Sequence, residues 1–184
     1  MAVDKQRPNT STDSKDDSTP NQFQNSSQNK KDEYLIAYAK LEHHVGTVEK
    51  LILAGADVNA QDALNGQTAL HRAVESENFS CIAILKLYHA SYDKQDHHGQ
   101  TPIHYAAAFC DYSTTATLLD DQTLSMSLRC LLDMPDQEGK AALYLAWHGA
   151  RSSFDDTLEA DDTRTVRGKI VNLLLAKGAN HPLG

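Results

Sequence analysis

Gly66-Gln67-Thr68-Ala69-Leu70-His71-Arg72-Ala73 returns 33 residues later as Gly99-Gln100-Thr101-Pro102-Ile103-His104-Tyr105-Ala106, and more loosely as Gly139-Lys140-Ala141-Ala142-Leu143-Tyr144-Leu145-Ala146. A second landmark returns at nearly the same spacing, 34 residues. Leu53-Ala54-Gly55-Ala56-Asp57-Val58-Asn59-Ala60-Gln61-Asp62 returns as Leu87-Tyr88-His89-Ala90-Ser91-Tyr92-Asp93-Lys94-Gln95-Asp96, and in truncated form as Leu175-Ala176-Lys177-Gly178-Ala179-Asn180. A fixed period marked twice is the signature of stacked repeats, in which no unit buries its apolar face alone and neighbours together complete one core.

Local chemistry assigns the positions. Gly66, Gly99 and Gly139 stand where a tight turn leaves a loop, and a positive φ costs glycine little there. Thr68 and Thr101 precede apolar runs and are placed to cap a helix N-terminus with the hydroxyl. Pro102 suits a first helical position, where its missing N–H is not needed. Ala73, Ala106, Ala107 and Ala146 allow paired helices to approach closely, and Leu51, Ile52, Leu85, Leu118, Leu119, Leu174 and Leu175 supply an outer-helix core.

These segments closely resemble the ankyrin repeat, whose motif runs Gly-x-Thr-Pro-Leu-His-x-Ala and, two helices later, a leucine pair followed by Gly-Ala-Asp-Val-Asn. The resemblance covers about residues 32–181. It implies an all-α ankyrin-repeat solenoid of stacked helix-turn-helix units with hairpin-like finger loops, in four repeats at about 32–62, 63–96, 97–136 and 137–181. It also implies a structural role for Thr68, His71, Thr101 and His104, stitching repeats through backbone hydrogen bonds. Asn59 resembles the asparagine that is hydroxylated in many animal ankyrin repeats, and its place in the turn is a sufficient reason for it.

Two departures stand out. The third repeat runs 40 residues from Gly99 to Gly139, and Leu118-Leu119 and Leu131-Leu132 compete for one slot. The expectation is an outer helix near 113–120 and a long finger over 121–135, with Met126, Leu128 and Met134 folded back on the solenoid. The fourth repeat carries an insertion, 151–165, with Asp155, Asp156, Glu159, Asp161 and Asp162. It lacks the D-x-[DN]-x-[DN]-G arrangement of a calcium loop and reads as solvated acidic chain, or as a docking loop for a basic partner. The first repeat reads as a polar cap, opening on Asp32-Glu33 and carrying Lys40, Glu42, His43 and His44.

Residues 1–31 contain five Ser, three Thr, four Asn and four Gln, with only Met1, Val3 and Phe23 as large apolar groups. Such a segment buries too little surface to offset its ordering entropy, which predicts a disordered N-terminal tail. Of the chain's net charge of -8, the tail carries +1, so the acidity belongs to the repeats. That balance argues against binding nucleic acid or anionic lipid. No run approaches the ~20 apolar residues of a membrane helix, and the N-terminus has no apolar signal core. The expectation is a soluble cytoplasmic or nuclear protein, monomeric alone, or one in a host cytosol if it is a secreted effector.

Catalytic chemistry finds no support. Adjacent pairs His43-His44 and His97-His98 point roughly 100° apart on a helix and share no ligand spacing with Cys or carboxylates. Cys110 lies near His104 without an orienting third group or oxyanion site, and Cys81, Cys110 and Cys130 read as small packing residues. No phosphate loop or hydrolase elbow occurs. The expected function is therefore non-enzymatic, with no cofactor and no metal. One or more proteins are the expected partners.

The resemblance places partner contacts on the concave face, made of fingertips and inner helices. Matching tip positions are Asn65, Gln67, His97, His98, Gln100, Gln137, Glu138 and Lys140. Matching inner-helix positions are Arg72, Glu75, Tyr105, Phe109 and Trp147. Arg72, Tyr105 and Trp147 are the residue types most often found as interface anchors.

Overall fold

The computed structural model describes residues 26–109, 112–120, 128–148 and 166–180. Nine α-helices and one short 3-10 turn, Glu42–His44, occur among these residues, with no strand. Helices α1 (Gln28–Ala39) and α2 (Val45–Leu53), α3 (Ala69–Glu75) and α4 (Phe79–Leu87), and α5 (Pro102–Phe109) and α6 (Tyr112–Leu119) form three antiparallel pairs. A short α7 (Leu128–Leu132) follows, and α8 (Ala142–His148) pairs with α9 (Val166–Ala176). The helices stack in two layers, α1-α3-α5-α8 inside and α2-α4-α6-α9 outside.

The alanines explain the close inner layer. Ala73, Ala106, Ala107 and Ala146 are buried at the helix contacts, while Leu51, Leu85, Leu118, Leu119 and Leu174 fill the space between layers. Cys81 belongs to this core, and burial pushes its thiol up to about 12. Cys130, read as a packing residue, is instead exposed on α7, and Cys110 lies outside the described residues.

The competition between the two leucine pairs resolves in favour of both. Leu118-Leu119 end α6, and Leu131-Leu132 are buried on α7, where the sequence reading had placed a finger. The register error has a physical cause: the extra residues of this repeat form an additional helical turn whose Leu128, Leu131 and Leu132 join the core. Met134 packs against that core too, and Met126 lies outside the described residues. The third finger proper is only Pro135–Lys140. Beyond α7, Asp133 accepts the Asn180 backbone N–H at 2.9 Å, closing the base of repeat three onto the end of repeat four.

At the other end, α1 begins at Gln28, four residues before the expected boundary. The side chains of its first turn secure the end of α2: Gln28 donates to the Gly55 carbonyl and Lys31 to that of Ala54, both at 2.8 Å, and the Asp57 N–H donates to Asp32 at 2.8 Å. The cationic Lys31 suits a helix C-terminus with unpaired carbonyls. Lys40, Glu42, His43 and His44 are exposed, as a cap requires. Residues 1–25 of the predicted tail and the acidic insertion 151–165 lie outside the described residues.

The second landmark closes the outer helices. At α2, the Gly55 N–H donates to Ile52 and that of Ala56 to Leu51; at α9, Gly178 and Ala179 do the same to Leu175 and Leu174. This is the paired closure that requires a left-handed residue. Helix α4 closes identically through His89 and Ala90, with His89 at φ +58. A β-carbon in that conformation is strained by about 1–2 kcal/mol, so His89→Gly, at an exposed site, is expected to raise unfolding free energy by about 1 kcal/mol in urea titration.

Candidate functional site

Three fingers project from the inner layer, and one aspartate builds each. Asp62 accepts the Leu64 and Asn65 N–H groups on one carboxylate oxygen (2.9 and 2.6 Å), Asp96 those of His98 and Gln100 (both 2.8 Å), and Asp136 those of Glu138 and Lys140 (2.9 and 2.8 Å). The sequence reading assigned these aspartates no role. Their signal was present, since Asp followed three or four residues later by Gly is the side-chain-capped turn that frees glycine for positive φ. Gly66, Gly99 and Gly139 stand at φ +71, +75 and +78.

Neighbouring fingers are then tied together. The His97 N–H donates to the Asn65 carbonyl (2.8 Å) and the Gln137 N–H to that of His98 (3.0 Å). Gln61 bridges to the Gln95 carbonyl (2.8 Å), and Gln95 in turn to that of Pro135 (2.9 Å). A methyl at Gly66 would sit 2.6 Å from the His97 ring, and one at Gly99 2.7 Å from the Gln137 nitrogen, whereas at Gly139 nothing lies within 4 Å.

Below the tips, the histidines of the first landmark staple each repeat to the next. His71 accepts the Thr68 N–H on Nδ1 (3.1 Å), which fixes the other nitrogen as the donor, and Nε2 reaches the Gln100 carbonyl at 3.0 Å. His104 repeats this with Thr101 (3.1 Å) and the Lys140 carbonyl (3.1 Å). In the looser third copy Tyr144 takes the histidine's place, stacking 4.3 Å from His148.

Burial in this wall holds both imidazoles below their ordinary 6.5, hence neutral. The unfolded chain therefore binds more protons than the fold just below pH 6.5. Stability is full above 6.5 and is lost as pH falls toward the depressed folded values, by at most about 1.4 kcal/mol per pH unit for each histidine. Thermal melts between pH 7.5 and 5 should show a falling midpoint, and the double variant His71→Gln/His104→Gln should lack that part of the dependence.

The structure sorts the expected contact residues. Glu75, His97, His98, Phe109, Gln137 and Glu138 are exposed on tips and inner helices. Arg72 is partly covered, its guanidinium held at 3.3 Å by Glu75 and 3.6 Å by Asp62. Lys140 is tied to Glu138, which raises its pKa, and lies 5.7 Å over the Tyr144 ring. Gln100 is half-buried.

Tyr105 corrects the reading of it as a surface anchor. It is buried, with its hydroxyl accepting from Gln67 (2.6 Å) and donating to Asp96 (2.7 Å). Burial is the main reason that the phenol is pushed up to about 12. Gln67, read as a tip residue, is buried with it. Trp147 packs half-buried against the core. A residue that the sequence reading passed over is Leu64, 87% exposed at the first tip, whose signal was an apolar side chain inside an Asp-x-x-x-Gly turn.

Among the described residues no group of three His, Cys, Asp or Glu side chains is placed to hold a metal ion. No helix there is long and apolar enough to cross a membrane.

A family model described as ankyrin repeats, in three copies, matches residues 35–129. The chain is 50% identical over 58 residues to the nuclear factor NF-kappa-B p105 subunit of Gallus gallus, covering 31% of this chain and 6% of that protein. It is 31% identical over 104 residues to the E3 ubiquitin-protein ligase KEG of Arabidopsis thaliana, 56% of this chain and 6% of the relative. Inversin of Gallus gallus is 35% identical over 69 residues, 38% of this chain and 6% of that protein. The chain thus matches only a small part of each of these curated relatives.

Proposed function

This chain belongs to the ankyrin-repeat family, a family of protein-binding and typically non-catalytic modules, and from that premise we propose that it receives a partner protein on its concave face, as an adaptor, scaffold or competitive inhibitor. The observation that supports this most is the pinned row of fingers. Backbone bonds and buried histidines hold the tips in one arrangement, with Leu64 and His98 exposed on it; His97, bonded to the Leu64 carbonyl, Gln137, bonded to the His97 carbonyl, and Glu138, paired with Lys140, are exposed beside them in fixed positions. A surface ordered before association loses little entropy on binding.

Arg72, Glu75 and Phe109 extend the same face onto the inner helices, and Lys140 and the exposed edge of Trp147 continue it toward the last repeat. The acidic balance of the repeats favours a partner with a basic or neutral-polar surface. A regulatory or inhibitory subunit of an enzyme complex, in the cytoplasm or nucleus or in a host cell, would use the same face. A fixed stoichiometry on co-purification distinguishes it from an adaptor.

The test is affinity capture with three proteins of confirmed helical content: the wild type, a fingertip variant (Leu64→Ser, His98→Ala, Phe109→Ala) and an outer-layer control (Leu53→Ser, Leu87→Ser). Leu53 and Leu87 are exposed at the ends of the outer-layer helices α2 and α4. A partner retained by the wild type and the control and lost by the fingertip variant supports the concave face. Retention by the fingertip variant with loss by the control moves the docking surface to the outer layer.

A further inference from the structure

Asn65-Gly66, on the first fingertip, is the chain's only Asn-Gly step. The pair has a chemistry of its own. The backbone nitrogen after an asparagine can attack the side-chain carbonyl carbon and close a five-membered imide, and glycine, lacking a β-carbon, hinders that nitrogen least. Asn65 is exposed, so ammonia can leave and water can enter. Asn59, six residues earlier, is followed by Ala60, and its side-chain carbonyl accepts the Ser91 N–H at 2.7 Å.

The bonds of the finger oppose the reaction. The Gly66 N–H donates to the Asp62 carbonyl at 2.9 Å. An imide nitrogen is bonded to three carbons and carries no hydrogen, so ring closure breaks that bond every time. The Asn65 carbonyl, in the same peptide unit, accepts the His97 N–H at 2.8 Å, and the Asn65 N–H is held by Asp62 at 2.6 Å. The Gly66 carbonyl is held in turn by Gln61 at 2.7 Å. Closure therefore waits on a local opening of this finger, which costs less than unfolding the helices beneath it.

We infer that Asn65 is a self-modification site, deamidating at a rate set by the opening of the first finger. Hydroxide takes the Gly66 amide proton, the nitrogen bonds to Asn65 Cγ, and the Cγ–Nδ2 bond breaks as ammonia departs with a proton from water. Water then opens the imide. Cleavage of the new Cγ–N bond leaves aspartate, and cleavage at the backbone carbonyl leaves isoaspartate, whose main chain is one carbon longer. Either product adds a negative charge three residues from Asp62. Isoaspartate also moves the carbonyl that His97 holds, so it parts the first finger from the second. The inference stands whichever surface a partner uses.

The test incubates the full chain at about pH 8 and follows the tryptic peptide 51–72, which carries both Asn59 and Asn65, by tandem mass spectrometry. Conversion should occur at Asn65 and not at Asn59, about ten- to hundredfold slower than in the same chain unfolded in guanidinium chloride. Asp62→Ala and Gln61→Ala, each loosening the first finger, should speed it about three- to tenfold in protein of unchanged helical content. Gly139→Ala, in the third finger, should leave the rate unchanged. Equal rates in folded and unfolded chain overturn the proposal, as does a folded rate that neither first-finger variant moves. A fivefold acceleration by Gly139→Ala would place the reaction in globally unfolded molecules and overturn it too. So would an intact Asn65 in the folded chain after several hundred half-lives of the unfolded one.

Discussion

Gly99→Ala is expected to destabilise the protein by about 3 kcal/mol and Gly139→Ala by about 1 kcal/mol, although the two glycines have the same backbone conformation. Both substitutions impose the strain of a β-carbon at positive φ, about 1–2 kcal/mol. Only at position 99 does the added carbon also fall 2.7 Å from the Gln137 nitrogen and 3.1 Å from the Asp136 carbonyl carbon, backbone atoms that cannot move without parting the second and third fingers. Urea titration of both variants reads the difference directly. Equal losses would mean that the fingers separate at little cost and that the ladder is not rigid.

His104→Ala should be at least as severe, about 3–4 kcal/mol. The imidazole is fully buried, accepts the Thr101 N–H and donates to the Lys140 carbonyl. Its removal leaves a cavity and the Thr101 N–H without a partner, which costs about 1–3 kcal/mol before relaxation, and takes from the Lys140 carbonyl one of two donors, the Asp136 N–H remaining. The loss should be shared between repeats: amide exchange should accelerate in the third finger, Pro135–Lys140, as well as in α5 itself. Acceleration confined to α5 would reduce the histidine to a local cap.

How much of this was legible in the sequence follows from which interactions are local. The 33-residue return of the Gly-Gln-Thr segment gave the fold, because the turn glycine, the threonine cap and the histidine staple are all set by residues within one motif. The extra turn α7 was misread as finger because Leu131-Leu132 has the spacing of a chain end in one dimension, and only packing shows room for a second leucine pair. Tyr105 was misplaced for a related reason. Its helix position faces the concave surface, yet the Gln67 and Asp96 side chains that draw its hydroxyl inward belong to the first and second fingers, separated from it by 38 and 9 residues. Leu64 escaped notice because an apolar residue in a polar turn reads as noise until its neighbours are seen to leave it bare.

The central claim is that the pinned fingertips form the docking surface, and hydrogen–deuterium exchange of the captured complex tests it most directly. Binding should slow exchange at the tips, residues 62–66, 96–99 and 136–139, and along α3 and α5, while the outer helices α2 and α4 exchange as in the free protein. Protection confined to the outer helices, with the fingertips unchanged, would contradict the account.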